Sequence, residues 1–212
     1  MKQNICTIYV ARHGETQWNR IRRIQGHVDA PSPLTLKGVD QARTYGATLR
    51  RLMGDPREWQ VFTSPLARCV QTTGVVCETA GLDFADVVLD ERLKEVGTGS
   101  FSGWLKPDLE RRHPELMTGH GLAAWYFRCP GGETWADMAE RIGAWLADRK
   151  PGDRVVAVTH GIAGKVMRAL YSGRPPAEVL AEDSPQDAVF VLRDGAVDRV
   201  PCGDGDSGRR TA

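Results

Sequence analysis

The chain has 212 residues, 41% of them hydrophobic and 26% charged, which fits one globular domain with a sizeable core and excludes two small domains or a disordered chain. Lys and Arg total 28 against 27 Asp and Glu, a formal net charge of +1. No overall field therefore draws the chain to nucleic acid or to an anionic membrane, and any attraction for anions must be local.

Short β-rich apolar runs alternate with stretches of helical periodicity, the sequence form of βαβ units around a largely parallel sheet, so the expected class is α/β. In chain order, residues 5–10 read as the first strand and 61–63 as the second. Residues 86–89 read as the third and 155–158 as the fourth. Residues 188–192 form a late edge strand closed by Asp194-Gly195. Thr35 caps a helix running to about Met53, Pro65 opens one to about Thr79, Thr134 caps one to about Asp148, and another starts at Gly161. Trp135, Met138, Ile142, Trp145 and Leu146 recur at helical spacing and read as a core stripe. Residues 1–202 read as one domain, and the polar tail 203–212 as disordered. Neither a signal peptide nor a membrane-spanning segment is legible. Cys6, Cys69, Cys77, Cys129 and Cys202 form no Cys-x-x-Cys pair and no zinc spacing, which suits a reducing compartment. The expectation is a soluble, cytoplasmic protein.

Arg12-His13-Gly14 follows the first strand, at the carboxyl edge where open α/β sheets place their ligand crevice. A histidine attacking phosphorus needs one ring nitrogen unprotonated while an acceptor holds the other, and an adjacent arginine offers a fork of donors to phosphoryl oxygens. Taken alone, the tripeptide fits a surface pair as well as a site. The second strand ends in the same way, in Ser64-Pro65 followed by Arg68 on the first turn of a helix. A cation there gains nothing from the helix dipole but adds to it on a bound anion. The fourth strand delivers His160-Gly161 to the same edge. Three such placements on three strands argue against accident. Beyond the third strand lies Glu95, the candidate proton donor, because a leaving alkoxide must be protonated as its bond to phosphorus breaks. Asp90 and Glu91 read as solvated turn residues.

These pieces resemble the histidine phosphatase superfamily, which includes cofactor-dependent phosphoglycerate mutases and broad-specificity phosphatases. The resemblance spans residues 5–172. It rests on Arg12-His13-Gly14-Glu15-Thr16 with Trp18-Asn19, Gln25-Gly26, Pro33-Leu34-Thr35 with Gly38, and Ser64-Pro65-Leu66 through Arg68 to Gln71-Thr72. Leu93 through Glu95, Pro130-Gly131-Gly132-Glu133-Thr134 and Thr159-His160-Gly161 complete it. The resemblance implies a three-layer αβα sandwich with a mostly parallel central sheet, and chemistry with no metal and no cofactor. His13 would become phosphorylated, Arg12, Arg68 and His160 would hold the phosphoryl group, and Glu95 would serve as acid and base. Asn19, Gln25, Gly26 and Gly161 would line the pocket.

The implied reaction is hydrolysis of a small phosphomonoester through a phosphohistidine. Two alternatives stand beside it: phosphoglycerate mutase-type transfer, and a catalytically silent binding module on the same fold. The family's mutases carry a longer insertion after the acid and an asparagine directly after the second His-Gly. Here the segment 100–125 is modest and Ile162 follows Gly161. Two departures from the family pattern are an inserted Ala30-Pro31 and Ser102 in place of an acidic residue before Gly103. Arg22, Arg23, Trp104, Lys106, Arg111, Arg112, His113, Trp125, Tyr126 and Arg128 read either as a grip on a second anion or ring, or as a solvated face with ordinary aromatic packing. No nucleic-acid or membrane partner is expected, and a homodimer is compatible with the sequence.

Overall fold

A computed structural model describes residues 6–28, 32–117 and 123–203. The inserted Ala30-Pro31 and the tail from residue 204 lie outside the described residues, as does the start of the expected first strand. Six strands, β1 (Thr7–Arg12), β2 (Gln60–Thr63), β3 (Val88–Leu89), β4 (Arg154–Thr159), β5 (Ala188–Arg193) and β6 (Ala196–Pro201), form one sheet in the order β3-β2-β4-β1-β5-β6. β1, β2, β3 and β4 run parallel, with Arg12 opposite Thr159 and Thr63 opposite Val158. β5 runs antiparallel to β1, and β6 to β5.

Seven helices accompany the sheet among the described residues: α1 (Gln17–Arg20), α2 (Leu36–Met53), α3 (Ala67–Ala80), α4 (Lys106–Arg112), α5 (Trp135–Ala147), α6 (Gly161–Ser172) and α7 (Pro176–Ala181). Strand side chains alternate between faces, and that parity makes three layers. Ile8, Val10, Phe62, Val155 and Ala157 pack with Met138, Ile142 and Trp145 of α5 and with Val166 and Met167 of α6. Their neighbours Tyr9, Ala11, Val61 and Val156 pack on the opposite face with Ala42, Tyr45 and Leu49 of α2 and Val76 and Cys77 of α3. The fold is α/β, an αβα sandwich with a mostly parallel sheet. Within the expected stripe on α5, Met138, Ile142 and Trp145 are fully buried, and Trp135 and Leu146 pack at the margin.

Local chemistry explains the helix starts. Thr35 accepts the Gly38 N–H at 3.0 Å, and Thr134 forms a reciprocal capping box with Asp137, each satisfying donors a helix leaves open. Helix α3 begins at Ala67 rather than Pro65, because Ser64 Oγ accepts from the Leu66 N–H at 3.3 Å and delays the first turn. Residues 188–192 are not an edge. Asp194 and Gly195, with φ of 55° and 74°, make a two-residue hairpin that returns β6 as the outer strand, the backbone such a turn requires. The third strand keeps only Val88–Leu89, since Phe84–Asp86 winds into a 3-10 turn, and both of its residues are exposed. Asp90 is no solvated turn residue. Its side chain is 12% exposed, caps the turn at Glu91–Leu93 and pairs with Arg92 at 2.7 Å. No helix among the described residues is long and apolar enough to cross a membrane.

Candidate active site

The parallel strands end at one edge, and their last residues bring His13, Arg68 and His160 together. His13 leaves β1 with its N–H on the Thr159 carbonyl at 2.9 Å, and Ser64 leaves β2 with its N–H on the Val158 carbonyl at 3.0 Å. The His13 and His160 rings stand edge to face with centroids 5.1 Å apart. Both are almost wholly buried, and so is Arg68, which excludes a solvated helix face as the alternative reading of that cation.

Hydrogen bonds settle which nitrogen of each ring carries its proton. His13 Nδ1 lies 2.8 Å from the Gly14 carbonyl. A carbonyl only accepts, so Nδ1 holds the hydrogen and Nε2 keeps its lone pair. Arg68 Nε lies 3.2 Å from His160 Nδ1 and can only donate, which leaves the His160 proton on Nε2, 2.8 Å from Ser64 Oγ. Burial first, then the charges of Arg68 and Arg12, hold the His13 imidazole well below its ordinary value, against the pull of the Gly14 carbonyl. The same burial, with Arg68, His13 and Arg12, depresses His160. Both rings therefore rest neutral, as a nucleophile and an uncharged donor must.

The cations are fixed by backbone. Arg68 Nη2 donates to the Gly26 carbonyl at 2.9 Å, and Arg12 Nη1 to the Ser184 carbonyl at 2.5 Å. Arg12 Nε is buried and finds no partner among the described groups, leaving a donor to offer an oxyanion. Gly14 is required by a close approach: a Cβ there would overlap the Gly38 carbonyl at the start of α2.

Glu95 arrives differently. It lies in the irregular stretch 94–98 and reaches across to the first turn of α6, whose N-cap, His160, makes no side-chain cap. Glu95 Oε1 accepts the N–H groups of Val96, Ile162 and Ala163 at 3.0, 3.1 and 3.0 Å, while Oε2 takes only a longer bond from Ile162 at 3.3 Å. The carboxylate thus caps α6 from another segment, where the helix dipole favours negative charge.

Asn19, Gln25, Gly26 and Gly161 divide. Gly26 touches Arg68 directly, and Gly161 opens α6 beside Arg12. Asn19 and Gln25 turn their side chains to Thr16: Asn19 Oδ1 accepts its N–H at 3.1 Å, and Gln25 Nε2 donates to its Oγ1 at 2.7 Å. The proposed grip on a second anion is engaged internally. Arg22 pairs with Glu110 at 3.2 Å and Arg111 with Asp108 at 2.8 Å, Arg112 lies over Trp104, and Trp125 is buried. The sequence motif included Thr72 without a role, and its Oγ1 accepts the Gly14 N–H at 3.0 Å; sequence reasoning missed Gln186, which donates to the His13 carbonyl at 2.9 Å. Both act on backbone, so only their Thr and Gln character was available as a signal. Cys69 Sγ lies 3.3 Å from His160 Nε2, but burial pushes its thiol up to about 12, so it packs as an unreactive neighbour. Among the described residues, no cluster of three or more His, Cys, Asp or Glu is set to hold a metal ion.

This is an α/β protein whose site gathers two neutral histidines, two arginines and a helix-capping carboxylate at the carboxyl edge of a parallel sheet. The chain belongs to the histidine phosphatase superfamily, branch 1, whose family profile matches residues 8–193. A protein described as a probable phosphoglycerate mutase GpmB, from Enterobacter sp. (strain 638), is 37% identical over 180 residues, covering 79% of this chain and 75% of that one. The solved structure of Bacillus stearothermophilus YhfR has a TM-score of 0.73 at 27% identity, covering 92% of this chain and 96% of that chain. A mycobacterial glucosyl-3-phosphoglycerate phosphatase solved with VO3 shares the fold, with a TM-score of 0.72 at 23% identity, covering 93% and 100% of the two chains.

Proposed function

We propose that the protein hydrolyses a small phosphomonoester through a phosphohistidine on His13. The observation that carries this reading is the state of His13: neutral, with Nδ1–H pinned to the Gly14 carbonyl and the Nε2 lone pair set among Arg12, Arg68 and His160. In the first step Nε2 attacks phosphorus and the ester P–O bond breaks, while Glu95 gives its proton to the departing oxygen. Oε2 is the oxygen suited to carry that proton, since Oε1 is committed to three N–H groups. In the second step Glu95 takes a proton from water as the water attacks phosphorus, the P–N bond breaks and orthophosphate leaves. Arg12 and Arg68 stabilise the equatorial oxygens with fixed positive charge, the main source of rate in a loose phosphoryl transfer, and His160 joins them by turning its Nε2–H from Ser64 Oγ to a phosphoryl oxygen.

Hydrolysis is favoured over mutase transfer because a mutase must hold a doubly phosphorylated intermediate away from water while it turns over. The rim arginines Arg22 and Arg111 are committed to carboxylates, and the Ile162 side chain lies in the core rather than in the pocket. Mutase transfer remains the second reading, on the name carried by the GpmB relative. Two measurements test the proposal. Purified protein in excess EDTA should release phosphate from p-nitrophenyl phosphate at mildly acidic pH, and His13→Ala should abolish the acid-labile label left by a radioactive substrate. Interconversion of 2- and 3-phosphoglycerate faster than phosphate release would instead establish the mutase reading.

A further inference from the structure

Glu95 sits in a stretch with neither helix nor strand, so no backbone ladder fixes it. Its carboxylate rests on the first turn of α6, and its backbone is held by His27, whose Nε2 lies 2.5 Å from the Glu95 carbonyl, and by a side chain from α5. Arg141, on α5, sends Nη1 to the carbonyls of Arg92 and Lys94 at 2.6 and 2.9 Å, and Nη2 to the carbonyl of Glu95 itself at 3.0 Å. Its other edge meets Glu133 through Nε–Oε1 at 2.8 Å and Nη2–Oε2 at 3.0 Å. All five N–H donors of a guanidinium are thereby used. Glu133 closes the clamp: its Oε2 accepts the Gly97 N–H at 2.7 Å and its own N–H donates to the Gly97 carbonyl at 2.8 Å. Burial pushes the Glu133 carboxyl up, but hydrogen bonds from His27, Arg141 and the Gly97 N–H outweigh it and bring it down to about 2, so this carboxylate is charged near neutral pH.

We propose that Arg141, braced by Glu133, is a positioning residue that sets Glu95 against the reacting phosphoryl group. The role rests on Glu95 being the acid and base of the reaction. The groups assigned to the phosphoryl oxygens, Arg12, Arg68 and His160, are held by bonds to Ser184, Gly26 and Ser64, and Arg141 reaches them only through its charge on His160, the smallest of the causes that depress that ring. Loss of Arg141 should therefore disturb proton transfer and spare phosphate binding. A lysine cannot replace it, because a single ammonium lacks the planar fork that reaches three carbonyls and a carboxylate together.

The test compares two esters in the full-length protein. Nitrophenolate leaves p-nitrophenyl phosphate without needing a proton, whereas the alkoxide of β-glycerol phosphate needs one. Arg141→Gln is expected to lower kcat/KM for the alkyl ester roughly thirtyfold to a hundredfold more than for the aryl ester, the scale of loss from misplacing a reacting group. Inhibition by inorganic phosphate should stay within about threefold of the parent protein. Glu95→Gln should show the same selectivity, and the double variant should lose little beyond Glu95→Gln alone. Equal losses on both esters, phosphate inhibition weakened in step, or losses that multiply in the double variant would each overturn the proposal. Should Arg141→Gln fail to fold, Arg141→Lys decides, since it keeps the charge and the stem. A shift in the ester ratio of about tenfold is expected, and an unchanged ratio overturns the role. If Glu95→Gln itself leaves the ratio unchanged, the acid assignment fails and the positioning role fails with it. If only the Arg141 variants leave it unchanged, the reaction stands and the positioning role alone is lost.

Discussion

The two site imidazoles make stability fall in mild acid. His13 and His160 are 3% and 1% exposed, and both titrate well below 6.5 because burial and the neighbouring arginines oppose their charged forms. In the unfolded chain each takes up a proton near its ordinary pKa of about 6.5. Below that pH the unfolded state binds more protons than the folded one, so stability is intact above about 6.5 and declines as the pH falls toward the folded values. Between about pH 6.5 and about pH 5.5 the loss reaches roughly 1 kcal/mol per histidine, or ~2 kcal/mol for the pair. Carboxylates do not confuse this window, because those depressed by their partners, such as Asp90 and Glu182, act only nearer the ordinary carboxylate range. Urea unfolding across the window at fixed ionic strength, in phosphate-free buffer so that no oxyanion stabilises the native state, should show the slope. His13→Asn and His160→Asn should each remove about half of it. A stability that stays flat over the window, or variants that keep the full slope, would refute the assignment of two neutral buried rings.

Four further outcomes follow from the same geometry. Arg68→Ala removes the donor that sets the His160 tautomer and the tie to Gly26, and should lower kcat by roughly a hundredfold or more in a steady-state phosphatase assay, with Arg68→Lys recovering little. Gly14→Ala forces the β1 loop away from α2 and should cost about 1–3 kcal/mol in urea unfolding, with turnover falling as His13 loses its carbonyl anchor. Glu95→Ala leaves the α6 N–H groups without their acceptor and should cost about 1 kcal/mol in the same unfolding measurement, most of it restored in Glu95→Gln, which keeps an oxygen there. Phosphate release should be unchanged after dialysis against EDTA, and recovery of lost activity by an added divalent cation would contradict the mechanism.

Features governed by neighbouring residues were legible in the sequence. Thr35 and Thr134 cap helices through bonds to residues three positions on, so the starts of α2 and α5 could be read directly. Arg12, Arg68 and His160 were legible because each directly ends a strand or opens the helix behind one. β6 was hidden because Ala196–Pro201, with Asp198 and Arg199 at its centre and four of its six residues exposed, carries little of the apolar patterning that marks a buried strand. In sequence alone, Asp194-Gly195 marks an end as well as it marks a hairpin return. The third strand was overread because its apolar residues look buried in sequence, whereas the sheet edge leaves them open. Arg141 gave no functional signal and Glu133 only its place in a motif: Arg141 donates to the Arg92, Lys94 and Glu95 carbonyls and Glu133 accepts the Gly97 N–H, all in a loop more than thirty residues earlier in the chain and brought near only by the packing of α5.

The contact between Glu95 and the first turn of α6 also constrains how this protein can drift. The oxygen that collects the Val96, Ile162 and Ala163 N–H groups stabilises the helix whether or not the other oxygen ever moves a proton. A lineage that abandoned catalysis would therefore still be under selection to keep an acceptor at position 95, and glutamine would satisfy it. The residue at 95 then separates two kinds of descendant: glutamate is compatible with either, whereas glutamine marks a chain that has kept the helix and given up the acid.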